Sequence, residues 1–210
     1  MKRGFKVFMV VILVIFTFSI SKIIEIRNEC IKNSIENKLI RFHVIANSDN
    51  VKDQKLKLEI KDEIIKYMSF KLKDSKDINE SRKIIKDNDK KIKDIAYKVI
   101  KQNGYNYNVI TTLSKENFPI KTYGNITLPQ GKYEAYRVII GEGEGHNWWC
   151  VMFPPLCFVD VTKGEVANEE TEENMKKVLN SAEYNSINNA QFKFKVVETV
   201  KNIKNKNSSK

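Results

Sequence analysis

The chain has 210 residues and a mass of 24.5 kDa, enough for one ordinary domain and a leader but not for two full-sized domains. A hydrophobic content of 41% with 30% charged residues excludes a disordered chain and requires a folded core. The net charge of +11 and the pI of about 9.4 would by themselves suit nucleic acid, anionic lipid or an acidic wall polymer, but most lysines alternate with Asp or Glu instead of forming a block. That is the pattern of a solvated mixed surface, and no nucleic-acid partner is expected.

At the N-terminus Lys2, Arg3 and Lys6 precede an uncharged run over residues 7–20, the order of a secretory signal. As a helix this run spans about 21 Å, short of the roughly 30 Å of a bilayer's hydrocarbon, so it is better as a signal core than as a span. Ser19 and Ser21 supply small residues for cleavage before Lys22. Without cleavage, Ile23 and Ile24 prolong the apolar stretch past Lys22 and tether the protein, giving a membrane contact through residues 7–24. Residues 1–21 are therefore a signal peptide or anchor, and 22–38, polar around Cys30, a stalk or fraying helix.

The body is expected over residues 39–201. Ile40, Phe42, Val44 and Ala46 alternate with Arg41, His43 and Ile45, which is strand periodicity. Asn47, Ser48, Asp49 and Asn50 break the strand; Asn50 then caps a helix over 51–72, with Asp53 placed to reach back to the cap's N–H. A second amphipathic helix is predicted over 79–101, ended by Asn103 and Gly104. From Tyr105 the period becomes two, and 118–128 reads as a long connection with extended pieces. Strands follow over 132–140 and 148–153, then a helix over 171–180. Phe192, Val196, Val200 and Ile203 suit a last helix, while Phe192, Phe194 and Val196 suit a strand equally; 202–210 is a disordered basic tail. The sum is an α+β single domain, a mixed or antiparallel sheet packed against two or more amphipathic helices behind an N-terminal signal or anchor.

The densest cluster is 141–160. Its glycines stand in a G-x-G-x-G spacing with Glu142 and Glu144 between them and no following helix, which excludes a phosphate-binding loop. His146 with Cys150 could form a nucleophile and base, and His146, Glu142, Glu144, Cys150 and Cys157 could be drawn as metal ligands. Neither pattern is specific, and the plainer reading has His146 and Asn147 hydrogen-bonding the glycine-rich loop in place. Cys150 and Cys157 flank a reversal containing Phe153, Pro154 and Pro155, so they are either a disulfide or two buried thiols. Trp148 and Trp149 point to opposite faces of a strand, one toward the core and the other outward as an apolar projection or part of a local cluster.

Residues 41–49, Asp53-Gln54, 56–58, 128–135 and above all 141–160, with its HNWWCVMFPPLCFVD stretch, resemble the stage II sporulation protein R family of endospore-forming bacteria. The resemblance implies a protein made in the forespore and exported into the space between forespore and mother-cell membranes. Its partner there is a membrane-embedded aspartic protease, activated to cleave pro-sigma-E. It supplies no catalytic residue to carry over, and no metal or cofactor is expected. The expected contact set is His146, Asn147, Trp148, Trp149, Phe153, Pro154 and Pro155, together with Arg41, His43, Asn47 and Asp49. The rival expectation is a cell-wall or small-molecule hydrolase using His146 with Asp160 or a glutamate.

Overall fold

Residues 2–158 and 165–188 are described by the computed structural model. Nothing in the N-terminal run interrupts a helix, and α1 (Lys2–Lys38) passes through both the leader and the segment expected as a stalk without a break. Every side chain from Phe8 to Cys30 is exposed. The stretch Phe8–Lys38 is long and apolar enough to cross a membrane, and it suits a signal or an anchor. Its last two turns belong to the body. Ile35 is 1% exposed and leads into Leu39, also buried, while Lys38 Nζ lies 2.7 Å from the carboxylate of Glu183, which Ser34 also reaches.

The next residues form β1 (Ile40–Ile45), which pairs in parallel with β5 (Gly131–Ile140) and antiparallel with β6 (Asn147–Phe153). Antiparallel β2 (Val109–Phe118) lies on the far side of β5, so the sheet order is β2-β5-β1-β6 and the sheet is mixed, as expected. Ile40, Phe42 and Val44 face α2 (Val51–Leu72), meeting Leu56, Ile60, Ile64 and Met68 at helical spacing. The helices α3 (Ile78–Asp87) and α4 (Asp89–Gln102) complete that layer through Ile85, Ile92 and Ala96.

The opposite face is covered as well. A short hairpin of β3 (Lys121–Tyr123) and β4 (Ile126–Leu128), turning at Gly124 with φ +56°, joins the end of α1 there. α5 (Glu165–Val178) and α6 (Ser181–Asn188) add Met175, Leu179, Tyr184 and Ile187.

Several expectations change. The helix predicted over 79–101 is two helices, broken at Asn88, whose side chain donates to the Ile84 carbonyl (2.7 Å) and accepts from the Tyr67 hydroxyl (2.5 Å). Such side-chain bonds compete with the helical ladder. The strand begins at Val109, not Tyr105, because Tyr105 and Tyr107 stack on each other at 5.1 Å before it. The connection over 118–128 contains the hairpin, and α6 had no signal of its own. Asp160, the segment 192–203 and the tail 202–210 lie outside the described residues.

The docking of α1 is open to measurement. Ile35→Ala should lower the unfolding free energy by about 2–4 kcal/mol, whereas Ile26→Ala, on the exposed part of the same helix, should change it by less than about 0.5 kcal/mol. Urea unfolding followed by tryptophan fluorescence separates the two.

Candidate functional site

Where β1 ends, the chain must turn onto α2, and the turn is built from side-chain hydrogen bonds. Asn50 caps α2 by accepting from the Lys52 N–H (3.1 Å). Asp53, expected to reach the Asn50 N–H, instead accepts from Asn47 Nδ2 (2.8 Å), Ser48 Oγ (2.6 Å) and the Tyr107 hydroxyl (3.0 Å), while the Asn50 N–H donates to Ser48 Oγ. Burial raises the Asp53 pKa, but the donors from Asn47, Ser48 and Tyr107 outweigh it and hold the carboxyl below its ordinary range. An ionised carboxylate thus ties the turn to α2 and to the approach to β2.

The glycine-rich connection between β5 and β6 is fastened onto this turn. Gly141 and Gly143 adopt φ of +57° and +67°, which glycine tolerates, and a Cβ at Gly145 would run into the Ser48 carbonyl. The Gly145 N–H donates to the Ala46 carbonyl (3.0 Å), the Glu144 N–H to the Asn47 carbonyl (3.2 Å) and the Glu142 N–H to Asn47 Oδ1 (3.1 Å). Lys57 Nζ donates to the His146 carbonyl (2.9 Å) and to Gln54 Oε1 (2.6 Å), and Gln54 in turn reaches the Ser48 carbonyl (3.0 Å). The His146 N–H donates to Asp49 Oδ1 (2.6 Å), against which the imidazole Nδ1 also lies.

This pair is the exposed feature of a rigid end: the His146 and Asp49 side chains are 80% and 55% exposed. Val51 and Leu58, seven residues apart on α2, are exposed apolar residues.

Along β6 the two tryptophans do face opposite ways, but both are half-buried. Trp148 lies edge-on to Phe42 at 5.8 Å with Lys61 Nζ 5.0 Å from its ring. Trp149 stacks on His43 at 4.8 Å and meets Phe118 edge-on at 4.8 Å, with Lys121 Nζ 5.7 Å away. Each ring lies among aromatic neighbours with a lysine ammonium near it.

Four of the expected contact residues are interior. β1 is flanked by strands and covered on both faces, so Arg41 and His43 are 0% and 4% exposed. Arg41 donates from Nε to the Cys150 carbonyl (3.2 Å) and from Nη2 to the Tyr123 hydroxyl (2.9 Å), and its guanidinium lies 4.4 Å from the Phe118 ring centre and 4.9 Å from that of Tyr133. Burial, with the nearby Arg137 and Arg41 charges, depresses the His43 pKa to about 3, so this ring is neutral at physiological pH. At the far end of β6, Phe153 and Pro154 are buried too, and half-buried Pro155 borders a groove of about 420 Å³ with Lys73, Lys76 and Val178. Surface contact is left to Asp49, His146, Asn147, Trp148, Trp149 and Pro155. Asn47 is half-buried and occupied with the loop.

Cys150 and Cys157 form a disulfide with Cα atoms 5.7 Å apart, which removes Cys150 as a nucleophile for His146. Among the described residues no cluster of three or more His, Cys, Asp or Glu could hold a metal. The braces Gln54, Lys57 and Tyr107 were not anticipated as a set. Their partners lie as far as 89 residues away in sequence, and no local spacing announces such bonds.

The sequence matches the family model described as Stage II sporulation protein R over residues 36–163. It is 40% identical over 143 residues to the Stage II sporulation protein R of Bacillus subtilis (strain 168), covering 68% of this chain. The match spans 64% of the length of that relative. No solved structure matches.

The buried histidine has a measurable signature. With its folded pKa near 3 and an unfolded value near 6.5, His43 contributes stability in full above about pH 6.5. That contribution is lost as pH falls toward 3, because only the unfolded chain takes up the proton, with a slope approaching about 1.4 kcal/mol per pH unit. Urea midpoints across this range should show the slope in the wild type, which should lose stability relative to His43→Leu as pH falls.

Proposed function

The chain belongs to the stage II sporulation protein R family, and from that premise we propose that it is an exported signalling protein of endospore formation. It acts in the space between forespore and mother-cell membranes. There it activates, as a ligand and not as an enzyme, the membrane-embedded aspartic protease that processes pro-sigma-E. The observation that carries this reading is the braced, exposed end formed by Asp49, His146 and the glycine-rich loop, which lies within the stretch 36–163 that the family model matches and opposite the end where α1 leaves the body. A rigid surface loses little conformational entropy on binding and can therefore favour one state of its partner. Moving the protease from mostly inactive to mostly active needs about 5 kcal/mol of differential affinity, within reach of one interface centre. The apolar N-terminal helix and the Cys150–Cys157 disulfide both suit an extracytoplasmic location.

One observation favours a second reading. His146 is oriented by a carboxylate, as a general base would be, which suits a hydrolase of the intermembrane space acting on wall or small-molecule substrates.

Reconstitution of the purified protease with pro-sigma-E separates the two. A ligand should raise cleavage in proportion to its own concentration and saturate near one equivalent of protease. Activation by trace amounts, with a chemically altered component left behind, would establish the hydrolase instead.

A further inference from the structure

The geometry of the exposed pair fixes its chemistry. Asp49 Oδ1 takes the backbone N–H of His146 (2.6 Å) and faces Nδ1 of the same residue. The His146 backbone bond, then that to its ring, holds the Asp49 carboxyl below its ordinary range, so it is ionised and has no proton to give. Nδ1 must therefore carry the hydrogen in the neutral ring, and Nε2 is left with its lone pair. The backbone that carries the ring is fixed by the bonds from Lys57 to the His146 carbonyl and from Gly145 and Glu144 to the end of β1.

We propose that His146 meets the partner protein as a neutral hydrogen-bond acceptor, its Nε2 taking an N–H or O–H of the partner, and that protonation of the imidazole releases that contact. The proposal rests on the ligand reading above and adds the polarity of the contact and its response to acid. The charged groups around the ring are Asp49 in the β1–α2 turn, Lys57 on α2, whose ammonium is engaged by the His146 carbonyl, and exposed Glu142 and Glu144 on the loop. The Asp49 carboxyl is held below its ordinary range, so a proton added to the pair goes to the imidazole. A proton on Nε2 places a donor opposite the partner's donor, and binding weakens as pH falls.

The test has two arms on the full chain in detergent. In the first, 15N spectra of the histidines, with His146 assigned through His146→Gln, should show the Nδ1–H tautomer at neutral pH; a predominant Nε2–H tautomer overturns the proposal whatever the partner. In the second, binding to the purified protease should fall about tenfold between about pH 8 and about pH 5. At neutral pH, His146→Lys and His146→Ala should lose about tenfold, while His146→Gln, whose amide oxygen can occupy the Nε2 position, should keep most of the affinity. Equal binding by His146→Lys, or tighter wild-type binding in acid, overturns the acceptor role. A wild-type chain with the Nδ1–H tautomer that does not bind the protease at any pH refutes both the protease as partner and the protease contact assigned to His146.

Discussion

A charged side chain without a counter-charge stands at the centre of this fold. Arg41 is fully buried in β1, and among the described residues no carboxylate pairs with it; a carbonyl, a tyrosine hydroxyl and the faces of Phe118, Tyr123 and Tyr133 take that place. A buried guanidinium is costly unless such contacts surround it. Phe118 ends β2, Tyr123 comes from the hairpin and Tyr133 from β5. The requirement to enclose Arg41 thus draws these elements onto one face of the sheet. The end of α1 seals the same cluster, so the helix that carries the leader is joined to the body through the residues that shelter Arg41.

From that centre β1 delivers Asn47, Ser48 and Asp49 to the opposite end of the sheet, where the constraint is hydrogen bonding instead of burial. There the chain turns from β1 onto α2 beside the connection from β5 to β6, and polar backbone that would otherwise be only partly satisfied is taken up by Asn47, Asp53, Gln54 and Lys57. The result is a loop with little freedom that carries an exposed imidazole. The overall charge of +11 says little about this end, which holds Asp49, Asp53, Glu142 and Glu144 against Lys52 and Lys57.

What the sequence made legible follows the range of the interactions involved. The helix Val51–Leu72 was readable to the residue, because its cap and its apolar period are local. The alternation in β1 revealed the strand but misassigned a face. Arg41 and His43 look like the solvated side of a half-exposed strand, and nothing nearby reports that Phe118 and Trp149 close over them. The break at Asn88 escaped notice because Asn is an ordinary helical residue until a distant Tyr67 hydroxyl meets its side chain. In the motif over 141–160, the glycines, the opposed tryptophans and the alternative of a disulfide could be read. Its placement along the length of one strand, with the histidine at one end and the prolines about 20 Å away at the other, could not.

That separation bears on how the membrane-bound partner of the proposed function would be reached. Lys32 and Glu36 of α1 pass Phe118, Pro119 and Gln130, and Asn37 meets Lys115, so toward its N-terminus the helix leaves the body at the Gly131 end of β5. The Asp49–His146 pair lies beyond the other end of β5, about 30 Å along the strand. Another 12 Å or so of helix separates Lys32 from Ile24, where the apolar stretch ends. If α1 is retained in a bilayer, its docking through Ile31, Ile35 and Leu39 places the exposed pair at the end of the body remote from the point where the helix leaves it. Under the proposed function, that arrangement would favour a partner in a facing membrane over one in the same membrane. If the leader is removed, the body is free to turn and either membrane becomes accessible. The one continuous helix therefore makes the fate of the leader a determinant of direction as well as of location.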